Sequence, residues 1–502
     1  MVIMGIDIGT TNTKVGLFKT DGAQLAVSAR PTVTHRTPEG IHYYDPEEMW
    51  GSIAAAIREV AAASAEPIAS IGIASMAESG LLIDRATGKP KSLFLPWFDT
   101  CSTPQATRIA AEADLFERFC VSGLHSSFKL GLPKLLWLLE RDQSAADGAV
   151  WLSASSYVAY RLTGRMAFDY SLAARTLAFD INRKQWDSEW IRHFGVSPDV
   201  YPEALPAGTP LGRVLPELAD AAGLTGELQV AIAGHDHVAA SLAVGAVTPE
   251  AVYDSMGTAE TLVGTLQPRP LGRREYETGL SFGVHAAPGR MFWMGGNSSS
   301  GGSVEWLRGI LGEPELSYAD VLRLLEDVSP EPTGMLYFPY LSGSGAPQPD
   351  AGAAASIIGL RKSHGKGDLL KAVLEGTAYQ LQAIRTEGEH IAGQPINRLI
   401  VVGGGVRNPV WLQVKADILG ASLTLPPVDE ASLLGAALSA GAGAGVYSSV
   451  DEAAAVSAGL KPRYIEPDAH RHGVYRELYS QGYMALQQSL RQYFRQASAV
   501  KA

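Results

Sequence analysis

A β-prone run that ends in glycine and resumes after five polar residues constrains this chain more than any other feature. Val2, Ile3, Ile6 and Ile8 lead to Gly9, and Val15, Leu17 and Phe18 follow Thr10-Thr11-Asn12-Thr13-Lys14. The pattern predicts a tight hairpin with a polar tip. Gly9 lets an anion approach the backbone, Thr10 and Thr11 offer donors without bulk, and Lys14 adds positive charge. Asp7 supplies the single carboxylate that suits Mg²⁺ sharing its other positions with water and phosphate oxygens. An edge hairpin with a polar tip would satisfy the same residues. Against that, Ala251-Val252-Tyr253-Asp254-Ser255-Met256-Gly257-Thr258-Ala259-Glu260-Thr261-Leu262-Val263 repeats the order strand, Asp, Gly-Thr turn, strand. Two such hairpins facing each other can grip a triphosphate from both sides.

A chain of 502 residues is too long for one core and predicts at least two domains. The break falls at Gly245-Ala246-Val247-Thr248-Pro249-Glu250, dividing the chain into 1–246 and 247–502. With 46% hydrophobic residues, the 53 glycines indicate tight strand-to-helix turns rather than disorder. A formal net charge of -11 argues against a nucleic-acid partner. The two cysteines, Cys101 and Cys120, form no CxxC motif, which fits a reducing compartment and indicates neither a disulfide framework nor a cysteine zinc site. No signal-like or membrane-length apolar run occurs, so a soluble cytoplasmic protein is expected, with small-molecule partners and no membrane. A homodimer is compatible with the sequence, which does not set the oligomeric state.

Strand-like and helix-like runs alternate throughout, the signature of an α/β fold. Asp45-Pro46-Glu47-Glu48 opens a helix near 47–64, and a strand follows at Ile68 to Ser75. Further helices are expected at 130–141 and 157–163. A buried strand at 229–233 runs into a helix at about 238–244. The second half repeats the order: hairpin, strand pair around Pro288-Gly289, helix at 302–311, long loop, helix at 368–393, strand at 399–402, helix at 409–419. A helical tail is expected from about Tyr464.

Gly234-His235-Asp236-His237 lies where a buried strand turns into a helix, the place where open α/β folds hold reacting groups. Asp236 suits a base that accepts a hydroxyl proton during phosphoryl transfer. An N-cap aspartate without chemistry fits the same position. A metal site on His235 and His237 lacks an identifiable third ligand. Leu399 to Val402 runs into Gly403-Gly404-Gly405, where bare backbone admits a flat ring or an α-phosphate, although a tight connection without ligand fits as well. Neither GxxxxGK[ST] nor GxGxxG occurs. Gly279-Leu280-Ser281-Phe282-Gly283 matches the esterase GxSxG, but the residues after it read as a β-hairpin, not the helix that motif requires.

Together the Asp7 to Lys14 hairpin, Asp236 and the glycine turn resemble the FGGY carbohydrate kinases of the actin-like ATPase superfamily. Lys134-Leu135-Leu136-Trp137-Leu138, Tyr160-Arg161-Leu162-Thr163-Gly164, Tyr340-Leu341-Ser342-Gly343 and Glu430-Ala431-Ser432-Leu433-Leu434-Gly435-Ala436-Ala437 extend the likeness in order over nearly the whole chain. The resemblance implies two ribonuclease H-like domains around a cleft, with ATP and Mg²⁺ as cofactors. By it Asp7 lies near Mg²⁺, Thr10, Thr11 and Lys14 face the terminal phosphates, and Gly257 and Thr258 close on them. Gly404, Gly405 and Asn408 line the α-phosphate and adenosine, Asp236 is the base, and the sugar sits on the N-terminal side.

The departures concern the sugar. Many members carry Ser-Gly-Gln-Met-His-Gly where this chain has Ser75-Met76-Ala77-Glu78-Ser79-Gly80, and Trp-x-Asp-x-Arg where it has Trp97-Phe98-Asp99-Thr100-Cys101. Ser344-Gly345 stands where Glu-Arg is frequent. Glu78, Ser79, Trp97 and Asp99 are therefore the candidate substrate residues, Trp97 as an apolar wall and Asp99 as an acceptor; a core aromatic beside a turn aspartate is the alternative. The expected acceptor is a ketose such as xylulose, with a polyol or sugar acid as alternatives. A nucleotide- or sugar-binding protein of the same fold that has lost transfer is the competing class.

Overall fold

The computed structural model describes residues 1–224, 228–456 and 460–501. The first hairpin forms as its pattern predicts: β1 (Val2–Ile8) and β2 (Asn12–Lys19) pair antiparallel with Asp7 opposite Lys14. β3 (Gln24–Pro31) continues the meander. Helix α1 (Pro46–Ala61) then crosses over, its N-terminus capped by the Asp45 carboxylate, which accepts from the Glu47 and Glu48 amides. It delivers the chain to β4 (Ile68–Ser75), parallel to β1, and after a long excursion β5 (Gln229–His235) lies parallel to β4. Adding the edge strand Pro210–Arg213, the order outward from β3 is β3-β2-β1-β4-β5-edge. The strands facing both layers are largely apolar and buried along their length, as burial on two faces demands. Helix α2 (Asp236–Ala243) leaves directly from the end of β5.

The second half rebuilds the same order. β6 (Ala251–Met256) and β7 (Glu260–Leu266) form the second hairpin, β8 (Met291–Asn297) flanks it, and helices α3 (Gly301–Leu311) and α4 (Lys366–Ala392) follow. β9 (Arg398–Val402) lies parallel to β6, α5 (Pro409–Leu419) returns, and β10 (Ser422–Leu425) lies parallel to β9. The core order β8-β7-β6-β9-β10 matches that of the first sheet, with one extra strand on each edge. One of these, Arg463–Ile465, pairs with β10, so the expected helical tail begins as a strand before its helices at Ala469–Glu477 and Ala485–Lys501. The long loop after α3 also holds a helix, Tyr318–Glu326, and two short strands, Leu336–Phe338 and Ser356–Ile358.

The last core helix, α6 (Ala431–Gly443), belongs to the second half in sequence but packs on β1, β4 and β5 of the first sheet. Its approach is so close that a Cβ on Gly5 would strike the Leu433 carbonyl, and one on Gly72 the Ala436 carbonyl. A buried apolar cluster of Val238, Leu242, Tyr253, Phe292, Val402, Leu433 and Leu438 joins α2 and α6 to the second sheet. The two halves are thus stitched by one helix from each. Gly72→Ala is expected to destabilise the protein by about 1–3 kcal/mol or more, because neither backbone can yield to the methyl group; urea unfolding measures it, and an unchanged midpoint would contradict this packing. Among the described residues no helix is long and apolar enough to cross a membrane.

Candidate active site

The ends of three parallel strands come level at one edge of the first sheet: Ile8 pairs with Ser75, and Ser75 with His235. Asp236 is the next residue, so the strand-to-helix turn sets its carboxylate beside the first hairpin. Its Oδ1 accepts from the His237 amide at 2.7 Å and lies 3.2 Å from His235 Nε2. Burial pushes the Asp236 carboxyl up to about 7, the His237 amide opposes this, and the Glu78 charge adds to it. Burial likewise raises Asp7 well above the usual carboxylate range, with the Asp236 charge adding to the rise and Lys14 opposing it. Asp7 and Asp236 therefore share one electrostatic site. Burial pushes the His237 imidazole down to about 4 and His235 well below its ordinary value, so both rings are neutral at pH 7. Among the described residues no group of three or more metal-type ligands surrounds them.

At the hairpin tip Gly9 donates to the Asn12 carbonyl, and no described protein group accepts from the Thr10 and Thr11 amides. These two donors point to anion binding. Lys14 Nζ bonds both oxygens of Glu430, at 2.8 and 2.7 Å, tying the hairpin to the residue before α6. Asp7 Oδ1 is buried without a protein partner. A hard cation that also takes phosphate oxygens and water fits such an atom.

Beside the first hairpin, Trp97 is fixed at both ends: its indole Nε1 donates to Thr10 Oγ1 at 2.8 Å and its amide to Ser79 Oγ at 3.0 Å. Trp97 thus ties the hairpin tip to Ser79. Glu78, in the left-handed region at φ 58°, receives Nε and Nη2 of Arg175 at 2.7 and 2.5 Å. Arg175 and Lys129, whose Nζ stands 5.1 Å above the Trp97 ring, were not expected from the sequence. Neither lies in a motif, and each arrives from a distant loop. Asp99, the expected acceptor, already accepts from the protein itself. Its oxygens take the His42 amide at 2.8 Å, His42 Nδ1 at 2.9 Å and the Cys101 amide at 2.8 Å, so the carboxylate pins the short strand at His42–Tyr43 to the turn at Asp99–Cys101.

In the second half, the carbonyls of Gly257 and Thr258 accept from the Gly301 and Gly302 amides at the start of α3. Ser255 pairs with Val402, bringing the glycine turn level with this hairpin. Gly403, at φ 99°, would strike the Met256 carbonyl with any Cβ, whereas Gly404 faces open space. Asn408 caps α5 by accepting from the Trp411 amide at 3.0 Å. Asp254, the echo of Asp7, has a different role. Lys415 Nζ, fully buried on α5, bonds Asp254 Oδ2 at 2.9 Å and closely approaches Glu260 Oε1, and Ser300 Oγ donates to Glu260 Oε2 at 2.7 Å. One buried ammonium thus joins the second hairpin, the start of α3 and the helix after the glycine turn. Ser281, of the GxSxG match, begins an edge strand antiparallel to β8, the hairpin expected of it.

Two sheets of the same strand order, each carrying a phosphate-type hairpin, with interdomain helices between them, define a protein of the actin-like ATPase fold. The model of the FGGY family of carbohydrate kinases matches this chain in both domains, N-terminal over residues 2–243 and C-terminal over 252–444. The chain belongs to that family and is a carbohydrate kinase. It is 31% identical over 460 residues to a glycerol kinase of Gloeobacter violaceus and 27% identical over 462 residues to a xylulose kinase of Bacillus subtilis, covering 90% of each chain in both cases. Among solved structures, a xyloylose kinase from Brucella ovis superposes with a TM-score of 0.89 at 26% identity, over 98% of this chain and 100% of that one.

Proposed function

We propose that this kinase transfers the terminal phosphoryl group of ATP to a terminal hydroxyl of a small carbohydrate, with Asp236 as the base. The observation that carries this reading is the shared site of Asp236 and Asp7 at the sheet edge, one strand end from a tip whose amides are unused. In it, Asp236 takes the acceptor's proton as the oxygen attacks, and orientation by the strand-to-helix turn matters more than basicity. The Thr10, Thr11 and Lys14 tip and the Gly257-Thr258 tip hold the phosphates, and Gly404, Gly405 and Asn408 border the adenosine. Mg²⁺ held at Asp7 would supply charge neutralisation on the phosphate oxygens. Glu78, Ser79 and Trp97 line the acceptor pocket, and Asp99 shapes it through His42. Xylulose kinases among the relatives support a ketose and glycerol kinases support a polyol.

A screen of ATP consumption against ketoses, polyols and aldonates tests this function. Stimulation by at least one acceptor is expected; ATP binding without stimulation by any of them would favour a binding protein that has lost transfer. The pH profile gives a second check. The base acts deprotonated and its carboxyl stands near 7, so kcat/KM should rise as pH increases from 6 to 8 and then level. A flat profile over that range would remove Asp236 from the role.

A further inference from the structure

The acceptor pocket carries more positive charge than a neutral sugar can use. Lys129 Nζ lies over the face of Trp97, 5.1 Å from the ring centroid, and has no hydrogen-bond or ion-pair partner among the described residues. Arg175 gives Nε and Nη2 to Glu78, while its Nη1 is buried without a partner. Lys134, fully buried behind them, spends its ammonium on the carbonyls of Trp97, Phe128 and Lys129. Of the nearby carboxylates, Glu78 balances Arg175 and Asp99 is committed to His42 and Cys101. Lys129 is left over. Its ammonium loses solvent to the pocket and feels the Glu78 and Arg175 charges, which act in opposite directions. A ketose or polyol would cover this charge without neutralising it, an unfavourable way to bury an ammonium.

We propose that the preferred acceptor is a short sugar acid, whose carboxylate pairs with Lys129 Nζ and Arg175 Nη1 while its terminal hydroxyl faces Asp236. Charge-assisted hydrogen bonds to a carboxylate satisfy the Lys129 ammonium and the one unpartnered nitrogen of Arg175 at once, and the planar guanidinium suits a carboxylate oxygen. Trp97 then covers the carbon chain. The inference rests on the kinase reading and narrows its substrate class.

The test compares aldonates of four to six carbons with the alditol and ketose of the same length, using the full chain with Mg²⁺ and ATP. An aldonate is expected to exceed its neutral partners by at least about 100-fold in kcat/KM, since a site built to pair a group rejects analogues lacking it. Lys129→Met should cut that acid-to-neutral ratio by a similar factor, chiefly through KM, and Lys129→Arg should retain most of it. A neutral acceptor as the best substrate, with the ratio unmoved by Lys129→Met, would overturn the proposal while leaving the kinase reading intact. Calorimetric binding of the aldonate without ATP separates the two further. Weaker binding by Lys129→Met supports the carboxylate site whatever the turnover, and equal binding overturns it.

Discussion

Asp236→Asn is expected to lower kcat by about 10²–10⁴-fold, the range a positioned general base contributes, while ATP affinity stays near that of the parent protein. The substitution keeps shape and retains an oxygen for the His237 amide, which Asp236 Oδ1 now accepts at 2.7 Å. What it removes is the ability to take a proton. The proposed nucleotide contacts lie on other elements, namely the hairpin tips and the glycine turn, so binding and chemistry should separate. Steady-state kinetics with a calorimetric ATP titration measures both, and an undiminished kcat would withdraw the base assignment.

Lys415→Met is expected to destabilise the protein by about 3–5 kcal/mol, because it leaves buried carboxylates without their cation. Burial opposes the charge on Lys415, but Asp254 and Glu260 outweigh it and hold the ammonium protonated. Burial also pushes Asp254 up to about 8 against the pull of Lys415. Removing the lysine takes away that opposing pull and frees Glu260, which anchors Ser300 at the head of α3. Weaker ATP binding should accompany the lost stability, since the same residues hold the second hairpin against the glycine turn. The triple change Lys415→Met, Asp254→Asn and Glu260→Gln should recover much of the stability by removing the charges together. Denaturant unfolding of both variants measures this, and a Lys415→Met midpoint equal to the parent's would contradict it.

Where sequence and structure agree, the information is local. Alternating apolar residues around Gly9 and Gly257 place both hairpins, and the run from Gln229 into Gly234-His235-Asp236 places the turn that carries Asp236. The Ile68–Ser75 strand and the Pro409–Leu419 helix have the bounds their patterns predict. Most of the misses are long-range. Lys415 reaches Asp254 across 161 positions and Lys14 reaches Glu430 across 416, and no periodicity encodes such pairs. Asp99 sits in a motif that suggests an acceptor of sugar hydroxyls, and no local pattern shows that the amide and ring of His42, 57 positions away, bond to it. Helix α6 reads as part of the second half, and its packing on β1, β4 and β5, with its carbonyls against Gly5 and Gly72, places it on the first sheet. The tail misleads for a different reason: Arg463–Ile465 is too short to show a strand period and is extended only because β10 offers it an edge.

The most direct measurement of the central claim is ³¹P NMR of the products formed from ATP, Mg²⁺ and a panel of ketoses, polyols and aldonates. One phosphate ester on a terminal carbon of the acceptor is expected for each ADP released, lost in Asp236→Asn. Release of ADP with inorganic phosphate alone, or bound ATP with no acceptor ester, would contradict it.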